Sequence, residues 1–464
     1  MRALSLTCLL LLAACGDGLY TAAGLPSTEG PGNGNTCDAN QVVCAGDATN
    51  TCRAEGTTLC GSGCQDCTGL AIPANTTAVC NLGRAADGHG ACGYACADGF
   101  FACATGCCGA TAVAASGDSS YAVVSDGTVH AWGANGAGQL GDGSRIGRTT
   151  PVLVKLDAGA VASAVAAGPT HACAIVAGGA VRCWGSNANG EVTGAATSGT
   201  LTTPTATPVG SGAVEIAAGG AHTCAVLGSG AVTCWGAPAQ TAGAASISGA
   251  TAIAAGASHT CAVVTGGAVK CWGANLVGQL GGILSSGVAT PAFTSGAITA
   301  GPMKHVTAYG DHTCASTETA AGKDLVDAVW CWGDVLGATF ALAAPQLTPA
   351  IPMKDASKST IRSTVTILAM GRAHVCTKSG DGVICFGGDN ALGQLGGTPA
   401  GASEGAVVSG SDAAWSAFSA GSDHACAILG SGALRCWGGN AAGQLGDGTT
   451  TTPGTGTLVA PKGT

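Results

Sequence analysis

From residue 110 onward, hydrophobic positions fall in short β-prone runs broken by glycine, with no 3.6-residue periodicity running through them. The stretch His222-Thr-Cys-Ala-Val-Leu-Gly-Ser-Gly-Ala-Val-Thr-Cys-Trp-Gly236 is typical. Its two runs flank Gly228-Ser229-Gly230, a hairpin signal. The same unit recurs at 171–185, 259–273, 312–333, 374–387 and 424–438, with a degenerate copy at 119–133. An apolar run ending near glycine precedes each copy, as in Ile216-Ala-Ala-Gly219. Asn-x-x-Gly-Gln-Leu-Gly follows four of them, at 135–141, 275–281, 390–396 and 440–446, and a segment near Thr-Pro follows most of these. Three inner strands and one outer strand, repeated every 37–62 residues, describe the blades of a β-propeller. Seven hairpins predict seven four-stranded blades over 110–464. The strand at 452–459, left over after the last hairpin, is expected to complete the first blade and close the ring, which removes exposed sheet edges.

Glycine and proline (79 and 16 residues) make about a fifth of the 464-residue chain, while only 9% is charged and 4% aromatic. Coiled coils and charged disorder both need more charge than that. The formal net charge is −9, with 17 scattered Lys and Arg. Nucleic-acid binding, which rests on clustered cations, is therefore not expected. At the N-terminus, Met1-Arg2 is followed by an apolar run about half as long as a membrane-spanning helix and then by Leu12-Ala-Ala-Cys15. That ending resembles a bacterial lipobox. Residues 1–15 are read as a lipoprotein signal peptide with Cys15 as the acylated residue, 16–36 as a flexible linker, and the outer membrane or cell surface as the destination.

Twelve cysteines lie within 37–108, a segment nearly devoid of large apolar side chains. Such a module is expected to be held by disulfides rather than by a core. Its Cys64-Gln65-Asp66-Cys67 lacks the second Cys or His pair that zinc would require. In the propeller hairpins, register places Cys224 opposite Cys234, and likewise Cys173 opposite Cys183, Cys261 opposite Cys271, Cys314 opposite Cys331, Cys376 opposite Cys385 and Cys426 opposite Cys436. The degenerate copy has Tyr121 and Ala131 at both positions, so the pair is lost together. All twelve are expected to be bonded.

The run from the His-Thr strand through Trp-Gly to Asn-x-x-Gly-Gln-Leu-Gly resembles the regulator of chromosome condensation repeat family over about three quarters of the chain. The resemblance implies a seven-bladed propeller used as a protein-binding platform. One eukaryotic member is a nucleotide-exchange factor for a small GTPase, and a related bacterial propeller inhibits β-lactamases; neither activity resides in the repeat motif.

The motif histidines (171, 222, 259, 312, 374 and 424) sit on different blades, too far apart to share a metal ion, and are expected to hydrogen-bond backbone within the blade. Trp132, Trp184, Trp235, Trp272, Trp332 and Trp437, with Phe386, are expected to pack between blades. Gly136-Ala-Gly-Gln-Leu-Gly141 and Gly401-Ala-Ser-Glu-Gly405 match nucleotide-loop and nucleophile-elbow patterns but lack the strand-to-helix context those need. No catalytic, cofactor or metal residues are assigned. The expected function is that of a non-catalytic, monomeric binding scaffold on the cell envelope, held to the membrane only by lipid. The alternatives are a propeller enzyme acting on carbohydrate and, by family analogy, a nucleotide-exchange factor. The fifth repeat departs furthest from the pattern, and its connector offers a candidate partner patch: Phe340, Leu342, Leu347, Ile351 and Met353, followed by Lys354, Lys358 and Arg362.

Overall fold

The computed structural model describes residues 91–103, 106–197, 199–282, 302–317, 329–334, 365–379, 382–387, 390–397, 406–408, 415–453 and 460–462, with short strands within 41–81 and 294–299. Two compact units divide at 97/98. Among the described residues, the first contains three small antiparallel ribbons: Gln41–Val43 with Cys52–Ala54, Leu59–Cys60 with Gln65–Asp66, and Thr76–Asn81 with Ala91–Cys96. The Cys-rich module expected to reach residue 108 thus ends earlier. Its last stretch, the ribbon Phe101–Cys103 with Gly106–Cys108, belongs to the second unit.

That second unit is a seven-bladed β-propeller whose seven sheets follow one another in chain order. Blade 1 comprises Ala110–Ser116, Ser119–Val124, Val129–Gly133 and Arg148–Leu153. Blade 2 comprises Ala162–Ala167, His171–Val176, Ala180–Ser186 and Thr200–Ala206. The three inner strands of blade 3 are Ala213–Ala218, His222–Leu227 and Val232–Gly236, and those of blade 4 are Ala250–Ala255, His259–Val264 and Val269–Gly273. Blade 5 has Met303–Tyr309, His312–Thr317 and Val329–Gly333; blade 6 has Ile367–Met370, His374–Ser379, Gly382–Gly387 and the outer Ala406–Val407; blade 7 has Trp415–Ala420, His424–Leu429 and Leu434–Gly438. In blade 3 a short helix, Pro238–Thr241, follows the third strand where the repeat pattern would place a connector and an outer strand.

Every strand alternates its side chains between the two neighbouring blades. Ala172 and Ala174 therefore pack on blade 1, while Cys173 and Ile175 pack on blade 3. The core is accordingly not one central mass but a set of clusters, each spanning one seam between blades. Trp132, Trp184, Trp272, Trp332 and Trp437 are fully buried in these seams, and Trp235 and Phe386 nearly so. The six hairpin pairs are bonded, with Cα atoms 4.0–4.1 Å apart, and Cys103 bonds Cys108.

Ring closure differs from the expectation. Blade 1 takes its outer strand, Arg148–Leu153, from its own repeat, so the trailing 452–459 strand is not needed there. The Asn135 amide turns the chain back by donating to Asp142 Oδ1 and the Ile146 carbonyl, and Arg148 pairs with Asp142 at 2.7 Å. The seam between blades 7 and 1 is closed instead by the segment before blade 1. Leu434 N donates to Gly99 O, Ala110 N to Gly432 O and Ser125 N to Gly109 O, while Phe101 is fully buried against Trp132, Ile428 and Leu434. Among the described residues no helix is long and apolar enough to cross a membrane.

Candidate binding face

The turns from first to second strand and the connectors after the third strand all lie at one end of the propeller. There the chain makes a collar. Gly168, Gly219, Gly256, Gly371 and Gly421 stand three residues before the motif histidines, each packed so closely that a side chain has no room. At Gly219 a Cβ would lie 2.5 Å from Gly256 O on the next blade and 2.8 Å from His222 Nδ1. Behind the collar runs a cavity of about 300 Å³ lined by the first strands of all seven blades, mostly alanine on blades 1–4 and larger on the far side, with Leu368, Met370 and Phe418.

Two blades depart from glycine in the collar. Blade 1 has Ser116 and blade 5 has Tyr309, each pairing with the residue at the motif-histidine position. Tyr309 lines the cavity, with its phenol beside the Ser422 side chain of blade 7 and the Gly117 backbone of blade 1. Burial raises its pKa above the usual tyrosine value. On the same face, the residue just before the motif-histidine position is Asp118 in blade 1, Asp311 in blade 5 and Asp423 in blade 7, whereas blades 2, 3 and 6 carry Thr170, Ala221 and Ala373. Arg372 pairs with Asp423 at 2.8 Å, Gln444 Nε2 donates to Asp118 and Gln279 Nε2 to Asp311. Partial burial, reinforced by the nearby Asp423 and opposed by Arg372, raises the Asp118 carboxyl above its usual range. On the same face the connector residues Leu276 and Ile146 are 86% and 66% exposed, and Leu392 is partly exposed.

Four of the motif histidines act across seams rather than within blades. His171 Nε2 lies 2.9 Å from Thr223 Oγ1 of the next blade, His222 2.7 Å from Thr260, His259 2.6 Å from Thr313, and His424 2.8 Å from Ser120 of blade 1. Thr223, Thr313 and Ser120 donate their own protons to the carbonyls of Glu191, Gln279 and Gln444. Their oxygens therefore accept from an Nε2–H. Burial keeps the rings neutral: it lowers His171, His222 and His374 to about 4 and His259 and His424 to about 3.

A second tie uses the connectors. Trp184 donates its indole N–H to Gln139 O of the preceding blade, and Trp332, Trp437 and Trp132 do the same to Gln279, Gln394 and Gln444. The connector also has a fifth copy that the Gln-Leu pattern hides. Asn187 Oδ1 accepts from Val192 N as Asn135 Oδ1 does from Leu140 N, with Glu191 in the Gln position.

Cys15 and the patch from Phe340 to Arg362 lie outside the described residues. Among those described, one group of potential metal ligands, Cys103, Cys108 and Asp126, comes together, but its two sulfurs are bonded to each other. The acidic turns and Tyr309 were not singled out from sequence. Their signal was there in Gly310-Asp-His312 and Ser422-Asp-His424, where an acid precedes the repeated histidine.

A family model described as the regulator of chromosome condensation repeat matches residues 126–175. A second model of the same repeat matches 110–139, 162–191, 213–239, 250–279 and 415–444. Among solved structures, human WBSCR16 is 17% identical with a TM-score of 0.56, over 72% of this chain and 94% of that one. Yeast RCC1 (Prp20), solved bound to Kap60, is 17% identical with a TM-score of 0.43, over 76% and 74%. The ectodomain of the Physcomitrella patens receptor kinase CR4 is 18% identical with a TM-score of 0.42, over 70% and 72%.

Proposed function

The chain belongs to the regulator of chromosome condensation repeat family of β-propellers, and on that premise we propose that it is a non-catalytic binding scaffold of the bacterial cell envelope. In this reading a lipid on Cys15 holds it at the membrane, and the collar face takes a basic protein partner. The observation that carries the reading is the uneven ring of turns. Asp118, Asp311 and Asp423 crowd the mouth on blades 1, 5 and 7, with exposed Leu276 and Leu392 on the connectors of blades 4 and 6. Apolar contacts rimmed by acids suit a surface of opposite charge. The hairpin disulfides support an oxidising, exported setting. The neighbouring Asp118 and Asp423 carboxyls are what an enzyme reading would use, but Gln444 and Arg372 hold them as parts of the ring.

The test is capture of envelope proteins on the purified full chain, followed by affinity measurement with each captured protein. Asp311→Asn with Leu276→Ser is expected to weaken binding at least about tenfold, and raising salt from 50 to 300 mM to weaken it further. Binding indifferent to both changes would overturn the choice of face. Cys15→Ala should move the protein out of the membrane fraction; unchanged attachment would overturn the lipid anchor.

A further inference from the structure

We infer that the propeller ring has one openable seam, between blades 5 and 6. Besides backbone bonds between blades, such as Ala162 N to Gly127 O and Ala250 N to Gly230 O, two side-chain hydrogen bonds recur from seam to seam: histidine to the hydroxyl of the next blade, and indole to the connector carbonyl of the preceding one. The histidine tie is present at seams 2/3, 3/4, 4/5 and 7/1. The indole tie is present at 7/1, 1/2, 4/5 and 6/7. Where one is missing, the other stands in. Blade 1 has Ser119 in place of histidine, but Trp184 ties it to blade 2. Trp235 and Trp272 leave their indole N–H unpartnered, but His171 and His222 cross those seams. His374 faces Ala425, which has no hydroxyl, but Trp437 reaches Gln394.

Among the described residues, seam 5/6 alone has neither. The residue opposite His312 is Val375, and the aromatic residue of blade 6 is Phe386, which has no N–H. The seam is instead an apolar contact of Cys314, Val329 and Cys331 with Val375, Ile384 and Phe386. Two hydroxyls are also buried in it without partners. Ser316 shares the face of Cys314 toward blade 6, and Thr377 shares the face of Val375 toward blade 5. Their counterparts in blade 7 are Ile428 and Ala427, which bring no hydroxyl to the seams there. Each orphaned hydroxyl favours water over the closed seam.

Native-state hydrogen exchange on the full chain tests this, because a locally opening unit exchanges ahead of the rest. Amides in His312–Thr317 and His374–Ser379 are expected to exchange at least about tenfold faster than those in His259–Val264 and His424–Leu429. Val375→Thr, which sets a hydroxyl opposite His312, should slow exchange in both strands toward the level of seam 4/5. Thr377→Val, which removes an orphan, should act in the same direction. Thr260→Val should create a second fast-exchanging pair at seam 3/4, whose only such tie it removes. Equal protection of all four strands in the unaltered protein would overturn the inference. So would exchange that neither Val375→Thr nor Thr377→Val slows.

Discussion

At the scale of single residues, the motif histidine is a neutral donor kept neutral by burial. The linkage follows. In the folded state these rings protonate only near pH 3–4, whereas in the unfolded chain they protonate at 6.5. Below pH 6.5 the unfolded chain therefore binds more protons. The stability they contribute is complete above that pH and is lost as the pH falls from 6.5 toward 4, at up to about 1.4 kcal/mol per pH unit for each histidine. Glu215 runs the other way. Burial lifts its carboxyl to about 7, against the Ile253 N–H that donates to it. Its contribution is present below about pH 4.5 and lost as pH rises through 7. Thermal melts are expected to show a midpoint that drops steeply between pH 6.5 and 4, and Glu215→Gln should raise the midpoint at pH 8 but not at pH 4. A midpoint flat from pH 7 to 4 would contradict the buried-histidine account. The sequence made the structural role of these histidines readable but not their partners. The hydroxyl that receives His171, His222, His259 or His424 lies in the following repeat, beyond the reach of a motif read one copy at a time.

At the scale of elements, the hairpin is the unit whose form was most legible. Cysteine spacing and glycine turns agree in four copies, where the bonded pair is ten residues apart, and their register places Cys224 opposite Cys234 in the fold. The degenerate copy explains itself too: Tyr121 is fully buried in the seam with blade 2, and its hydroxyl donates to Gln139 O. Replacing Cys224 and Cys234 together by alanine removes a crosslink closing a loop of about ten residues. Chemical denaturation is expected to show a loss of about 2–3 kcal/mol with the fold retained, and collapse of the whole ring would mean that the bridge also sets the register. Connectors were harder to read. The copy at Asn187 is disguised because its turn is held by backbone bonds to Asn187 Oδ1, which tolerate Glu191 and Val192 in place of Gln and Leu. In blade 3 the Ala-Pro-Ala-Gln-Thr run after Gly236 forms a helical turn, a break in the pattern that strand periodicity alone does not announce.

At the scale of the whole molecule, closure is where sequence reasoning went astray. Counting strands suggests a borrowed one, but each of the first two blades keeps its own outer strand. Besides the direct bonds of Ser120 with His424 and Trp132 with Gln444, the last blade is joined to the first by a segment that cysteine density assigned to another module. Phe101 packs against blades 7 and 1, with its ring 4.9 Å from His130 and 6.1 Å from Trp132. Phe101→Ala is expected to cost about 3–5 kcal/mol, measured by denaturation of the full chain. A loss below about 1 kcal/mol would show that blades 7 and 1 hold each other without the ribbon.

The cross-seam bonds also constrain how such a gene can grow. His171, His222, His259 and His424 are matched not by their own repeat but by the one after it, and Trp132, Trp184, Trp332 and Trp437 by the one before. Repeats therefore carry a direction, like tiles with unlike edges. Duplicating the third repeat in place would match at both new edges, because Thr223 can receive His222 as it receives His171. Moving the second repeat behind the third would set Ala172 against His222 and leave a buried ring without its acceptor. Copy number can drift in this chain more freely than copy order.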